Sequence, residues 1–377
     1  MPTFDVAVIG AGINGCAAAW FLARSGLKVA LFDREGIASG GSGAAGAFIS
    51  PKISKSGPLK QIMDDAYAFS LAFYATEFSG SFTPAPQLHI AKFEDENAKV
   101  THFREHTPMH VGDAPDAYRS LLTDEAREFA SVFFQHSGIV DAEAACRAMA
   151  EAAILFCEEV HTLERSGGLW RVGSIEAKRV VLATGAYEPV MPEPYIALRA
   201  VWGHRIDIRT SERVEGIIHH RVSLAPTDAA GRSAVGATHD LKYHPQRSTA
   251  PYDVEAGRQE LLEKVRSTVR LGEVEILRDY TGLRSGSNDY LPMLGRLVDS
   301  EATLAAHPEL RKGARIAPDA YCYHEGLYMI NGSGGYGFVL APYLAAQLER
   351  HIGRGEPIDP RIEPSRFFGR WAKKRVP

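Results

Sequence analysis

The feature that most limits what this chain can fold into lies in its first 33 residues. Residues 4–9 are an apolar run that predicts a short strand. The run enters Gly10-Ala11-Gly12-Ile13-Asn14-Gly15. Residues 16–25 then predict a helix, with Ala17, Ala18, Ala19, Trp20 and Leu22 giving it an apolar surface. Residues 27–32 predict a second strand, which ends at Asp33. Strand, glycine turn, helix, strand and acid is the full context that the dinucleotide-binding pattern requires. Gly10 permits the tight turn, Gly12 lets backbone approach a pyrophosphate, and Gly15 lets the helix pack closely on the strand. The helix start, with Ile13 and Asn14, offers unpaired N–H groups and a partial positive charge to phosphates. Asp33 is placed to accept a hydrogen bond from a ribose hydroxyl. The bland alternative, a glycine-rich turn without a ligand, does not account for the strand, helix and acid around it.

The continuation bears on which dinucleotide. Arg34 is followed by a long loop of small residues that includes Ser39, Gly40, Ser42, Gly43, Ala45, Gly46 and Ala47. Small residues suit backbone that must run close to a flat ring system, and this favours FAD over NAD. A flexible Gly/Ser linker is the alternative, but Phe48-Ile49-Ser50-Pro51 resumes apolar structure at once.

A chain of 377 residues suits two domains. No apolar run approaches the roughly 18 residues of a membrane span, and the chain enters a strand at once, leaving no room for a signal peptide. A cytoplasmic protein without a membrane is expected. Cys16, Cys146, Cys157 and Cys322 are scattered and form no CxxC, which fits reduced thiols rather than a disulfide frame or a zinc site. A formal net charge of −4 argues against general nucleic-acid affinity but leaves room for a local basic patch.

Further along, residues 59–82 predict an amphipathic helix, with Lys52, Lys55 and Lys60 before or at its start as a solvated group. Residues 87–92 predict a strand, and 94–127 read as a polar, mixed region with a proline-containing loop near Pro108 and Pro115, opening a second domain. Asp141 is the expected N-cap of a helix over 142–153. Residues 154–156 and 170–172 predict strands around a turn at Ser166-Gly167-Gly168. Residues 179–186 predict a buried strand ending in the small residues Ala183, Thr184 and Gly185, which suits backbone packed against a cofactor or a plain strand end. Residues 202–271 predict strands and then a helix from 253 to 270. His204, His219, His220, His239 and His244 fall there without ligand spacing, so they are expected to be surface or hydrogen-bonded histidines, and no metal is expected. Arg284 stands among small, turn-forming residues. Its guanidinium suits bidentate binding of a carboxylate, or pairing with a structural acid such as Asp289. Residues 326–331 predict a strand entering a second glycine turn, Gly332-Ser333-Gly334-Gly335-Tyr336-Gly337, before a helix over 338–352. No acid-ended strand follows it, so a helix N-terminus aimed at a flavin pyrimidine suits it better than a second nucleotide site. Gly40-Gly41-Ser42-Gly43-Ala44 approaches a hydrolase elbow but lacks its last glycine and any triad partners. The tail from 366 to 377 carries Arg366, Arg370, Lys373, Lys374 and Arg375, a solvated end or a contact for phosphates.

Four segments together resemble the D-amino-acid-oxidase-like flavoenzyme superfamily: Gly10 to Gly15 with Asp33, Val180 to Gly185, Gly282 to Gly295, and Gly332 to Pro342. Within it the chain is most similar to the FAD-dependent half of the bifunctional tRNA 5-methylaminomethyl-2-thiouridine biosynthesis family. The cues are the Ala-Phe-Ile-Ser-Pro-Lys-Ile-Ser-Lys run at 47–55, Gly282-Leu283-Arg284 with Asp289-Tyr290-Leu291-Pro292-Met293-Leu294-Gly295, and 333–342.

The resemblance implies an α/β fold, a Rossmann-like FAD-binding domain (1–82, 138–202 and 315–377) interleaved with a mixed-sheet α+β substrate domain (83–137 and 203–314). It implies noncovalent FAD, since no cysteine matches a covalent attachment point, and adds Val160 to the cofactor-binding residues above. It places Arg284 on the substrate carboxylate and beside the cofactor. The implied reaction is oxidative removal of the carboxymethyl group of 5-carboxymethylaminomethyl-(2-thio)uridine at the tRNA wobble position, with a separate methyltransferase for the next step. Oxidation of glycine, sarcosine or a D-amino acid stays open, as does a flavin-binding protein without turnover.

Overall fold

The computed structural model describes residues 1–54 and 56–373. Lys55 and the tail residues Lys374 and Arg375 lie outside the described residues. The chain folds as two compact units: Met1–Ser39 with Cys146–Ala200 and Arg284–Pro377, and Gly40–Ala145 with Val201–Leu283. Residues 40–82, expected with the first body, belong to the second, and 284–314 belong to the first.

The first unit is built on an eight-stranded sheet. The apolar runs of the sequence become its parallel centre. Thr3–Ile9 pairs with Val29–Phe32 on one side and Ile175–Leu182 on the other. Ile154–Phe156 extends the sheet beyond Val29–Phe32, and Tyr323–Asn331 runs parallel to the end of Ile175–Leu182. Both faces of these strands are covered, so the central ones are nearly all buried, as a parallel sheet requires. The Ile13–Arg24 helix returns from the first strand to the second, and Ala17, Ala18 and Ala19 let it lie close. The Gly337–Arg354 helix packs against it and ends at Gly355, whose left-handed φ of +70° closes the last turn. This is the Rossmann-like arrangement expected from the sequence.

The second unit holds another eight-stranded sheet, mixed in direction, and a small three-stranded one. In the large sheet, Leu198–Thr210 lies between Val274–Ser287 and Arg232–Gly236, and Gln87–Ile90 pairs in parallel with Ile217–His219. Alternation sorts its faces: Leu88, Ile90, Ile206, Ile208, Ile218 and Val235 point into one core with Leu261 and Val265 of the Val254–Arg266 helix.

Several local expectations change. The helix over 59–82 is Pro58–Glu77, because Phe82 leaves it to pair with Val140 in the small sheet. Within 94–127, Asn97–His106, Asp116–Leu121 and Asp124–Arg127 are helical, and Pro108 and Pro115 lie in the connections between them. The first shows only two buried apolar residues, Val100 and Phe103, and their partners Ile53, Val132 and Phe134 come from distant chain. Residues 154–156 do not join the hairpin at Ser166; that hairpin is Leu163–Ser166 with Leu169–Val172. Arg284 lies in no turn but on the long strand Val274–Ser287. Glycine is needed on that strand at 282 because a Cβ would stand 2.8 Å from the Gly41 Cα and 2.9 Å from the Ala44 Cβ.

Candidate active site

In the first unit the three motif glycines have different physical causes. Gly10 has φ +104°, and a Cβ there would lie 2.4 Å from the Ala183 carbonyl oxygen. A Cβ on Gly15 would lie 1.7 Å from the Gly10 oxygen and 3.3 Å from the Ala183 Cβ. Both are glycines because the fold leaves no room. Gly12, the N-cap, has φ −74° and ψ −178°, which any residue adopts. Its glycine is therefore not explained by its backbone angles.

Asp33 sits where the sequence places it, at the end of the second strand. Its Oδ2 accepts the Ala11 N–H at 2.8 Å, and its Oδ1 accepts from Glu35 N, Gly36 N and Ser39 Oγ. The carboxylate thus ties the glycine turn to the loop that carries Arg34 and Ser39. Arg34 lies over the Tyr187 ring, 4.7 Å from its centroid.

The second glycine turn is brought to the same helix. Gly332 and Gly334 take φ of +75° and +58°. Ser333 Oγ is 3.1 Å from Asn14 Oδ1, and a Cβ on Gly337 would touch Ile13 at 3.1 Å. Cβ atoms on Gly334 and Gly335 would meet only open space, and one on Gly185 would meet only the Tyr187 ring at 3.9 Å. The N-cap residues of the Ile13–Arg24 and Gly337–Arg354 helices, Gly12 and Tyr336, make no side-chain capping bond of their own. Two helix starts brought together, with glycines facing open space, fit a phosphate-bearing, flat cofactor. Tyr336 lies deep in this region, and burial pushes its hydroxyl up to about 12, so it stays neutral. Val160 is buried in the main core of the unit, under the sheet formed by Ile9, Phe32 and Leu182.

A residue that sequence reasoning missed joins these parts. Asn331 is fully buried. Its Oδ1 accepts from Ser285 Oγ and Gly332 N–H, both at 2.8 Å, and its Nδ2 donates to the Gly185 carbonyl at 2.9 Å. One amide side chain therefore links the strand carrying Arg284, the second glycine turn and the end of Ile175–Leu182. An asparagine closing an apolar strand just before glycine was the only sequence signal.

Arg284 is partly buried, and that burial lowers the pKa of its guanidinium. Asp289, the acid expected as its structural partner, is held instead by Arg366, with bonds of 2.8 and 3.0 Å. Burial works to raise the Asp289 pKa, but Arg366, the Ser287 hydroxyl and the Leu291 N–H together bring it below the usual value.

In the second unit the loop of small residues around Gly41 and Ala44 lies on the Val274–Ser287 strand at Gly282. Ala47 has φ +46°, and the Ala45 carbonyl accepts from Arg205 Nη1 at 3.3 Å. Arg205 also covers the Tyr280 ring, 3.9 Å from its centroid. His204, His220 and His244 are buried rather than on the surface, and His204 Nε2 is 2.9 Å from Asp279 Oδ1.

His219 Nε2 is 3.1 Å from Ser50 Oγ. The surrounding protein keeps charge off this ring. Burial pushes His219 from 6.5 to about 3, with Lys92 adding to the shift, and burial holds its neighbour His89 well down too, with His219 the next cause. An unfolded chain takes up these protons near 6.5, whereas the folded one refuses them. Stability is therefore present above that pH and is lost as pH falls toward about 3. The expected loss is at most about 1.4 kcal/mol per pH unit for each histidine. Urea unfolding across that window checks it; a pH-independent midpoint, unchanged in His219→Gln, would overturn it.

Among the described residues one group brings metal-ligand atoms together: Glu193, Asp299 and His324, within 4.8 Å of one another. His324 Nε2 and Glu193 Oε1 lie at hydrogen-bond distance, 2.5 Å apart, so two of the three are tied to each other. Among the described residues no helix is long and apolar enough to cross a membrane.

A sheet with a parallel centre, two of whose strands enter glycine turns that each open a helix, defines a dinucleotide-binding α/β protein. The chain belongs to the FAD dependent oxidoreductase (DAO) family, whose model matches residues 5–350. It is similar to the tRNA 5-methylaminomethyl-2-thiouridine biosynthesis bifunctional protein MnmC of Pseudomonas savastanoi, 27% identical over 365 residues, covering 89% of this chain and 54% of that protein. The protein of the same name from Legionella pneumophila is 25% identical over 393 residues, covering 96% and 57%. The chain thus spans about half the length of these relatives. Its fold is similar to that of glycine oxidase from Bacillus cereus (TM-score 0.73, 20% identity, 94% of this chain and 96% of that one). It is also similar to that of iminodiacetate oxidase from Chelativorans (TM-score 0.72, 18% identity, 95% and 98%).

Proposed function

We propose that this FAD-dependent oxidoreductase oxidises a CH–NH bond and removes the carboxymethyl group of 5-carboxymethylaminomethyl-(2-thio)uridine at the tRNA wobble position. The observation that carries this reading is the match to the MnmC proteins over 89% to 96% of the chain. Arg284 supports it, as a half-buried guanidinium suited to grip the carboxylate of that group.

FAD, bound noncovalently, supplies the electron acceptor. Gly10, Gly12, Ile13, Asn14 and Gly15 would hold its pyrophosphate at the first helix start, and Asp33 and Arg34 its adenosine side. Ala183, Thr184, Gly185 and the 332–337 turn would flank the rest. The start of the Gly337–Arg354 helix supplies partial positive charge for an electron-rich ring. The chain's own work is placement: Arg284 fixes the carboxylate, and with it the carbon to be oxidised. A methyltransferase acting on the freed amine is the partner this reading calls for. The first unit is proposed as the flavin-binding body and the second as the carrier of the substrate side.

Oxidation of a free small amino acid is the second reading, favoured by the likeness in fold to glycine oxidase. Anaerobic incubation of the holoenzyme with wobble-modified tRNA, and separately with glycine and sarcosine, separates the two. Bleaching of the flavin absorbance by tRNA alone is expected. Bleaching by the amino acids alone supports the second reading, and bleaching by neither overturns both.

A further inference from the structure

We propose that Tyr290 and Arg199 form a nucleotide platform, with the tyrosine ring stacking a base of an RNA substrate and the arginine pairing with a phosphate. This rests on the tRNA reading above and names the residues that would recognise the polynucleotide rather than its reacting group.

Tyr290 is 62% exposed although its ring would gain by burial. Its φ is +64°, a conformation that bulky side chains rarely adopt. The turn is clamped into it. Tyr290 N–H donates to the Ser287 carbonyl, Leu291 N–H donates to Asp289 Oδ1 at 3.2 Å, and Arg366 holds both Asp289 and the Leu291 carbonyl. An aromatic ring held outward on a disfavoured backbone points to a use for the ring.

The ring also has a cation beside it. The Arg199 guanidinium carbon lies 4.7 Å from the ring centroid, and its Nη1 donates to the Tyr290 hydroxyl at 3.2 Å. Arg199 Nε is buried and makes no hydrogen bond. No carboxylate neutralises this guanidinium among the described residues, whereas other arginines of the same unit, Arg34 and Arg366 among them, are paired with acids. An exposed π face beside an unneutralised guanidinium matches a base with its phosphate. A free amino acid would have no use for that face.

The platform also sits on the site's own frame within the first unit. Tyr290 follows the strand that carries Arg284. Gly286 of that strand bridges to Ser333 of the second glycine turn, and a Cβ on Gly286 would stand 3.6 Å from the Arg199 carbonyl oxygen.

The test uses the holoenzyme and a wobble-modified anticodon stem-loop, measuring both flavin reduction and direct binding. Tyr290→Ala is expected to weaken stem-loop binding and raise KM by about tenfold to a hundredfold, with kcat nearly unchanged. Tyr290→Trp restores binding, because it keeps the π face. Arg199→Ala lowers the salt dependence of binding by about one counterion. Flavin content and Tm report that each variant is folded. Equal affinity and KM in Tyr290→Ala and wild type would overturn the platform while leaving the tRNA reading intact. A wild-type holoenzyme that glycine reduces but the stem-loop neither binds nor reduces would overturn the tRNA reading and the platform with it.

Discussion

Gly12→Val is expected to give a folded protein that purifies colourless. The contrast with its neighbours makes this informative. Gly10 and Gly15 are glycines because protein atoms would collide with a Cβ, 2.4 Å away at Gly10 and 1.7 Å away at Gly15. Valine at either position is expected to damage the first unit itself. At Gly10 it would also force a β-branched residue into φ +104°. Gly12 has ordinary extended angles, so valine there is not strained by its backbone. What it blocks is the approach of a pyrophosphate to the start of the Ile13–Arg24 helix. Tm, measured on protein stripped of cofactor, is expected to stay near wild type in Gly12→Val and to fall sharply in Gly10→Val. FAD released on denaturation is expected to be near zero in both. Full flavin occupancy in Gly12→Val would remove this turn from the cofactor site.

Arg284→Ala is expected to lower kcat/KM by about one to two orders of magnitude with FAD still bound. A hydrogen bond to a charged group is worth roughly 1.5–3 kcal/mol, and about 1.4 kcal/mol is a factor of ten. Arg284→Lys is expected to recover little, because a point charge does not reproduce the planar fork. Stopped-flow reduction checks both variants. Reduction of Arg284→Ala at the wild-type rate and affinity would leave the carboxylate without its anchor.

Much of the first unit was legible because its signals are local. The apolar run before Gly10, the spacing to Gly15 and the acid at 33 lie within one βαβ unit, and each has a short-range physical cause. The same holds for the second glycine turn, where a strand, glycines and a helix follow directly in sequence. The second unit was less legible. Its sheet joins Gln87–Ile90 to Ile217–His219 across more than a hundred residues, and no local pattern announces such a pairing. The Asn97–His106 helix showed too few apolar residues to stand out, because one short stripe suffices when distant chain completes the core.

By itself, then, the sequence determined the order of elements around both glycine turns and the chemistry those turns suit, since backbone freedom at glycine and charge at a helix start are properties of a few consecutive residues. Only the tertiary structure decided which residues meet. It paired Asp289 with Arg366 rather than Arg284, placed Arg284 and its small, turn-forming neighbours on a strand, and drew Asn331 into three bonds that join separate segments. Those outcomes depend on competition among partners far apart in the chain. An acid takes the cation that packing brings nearest, and a buried amide takes whatever donors and acceptors the fold leaves unsatisfied.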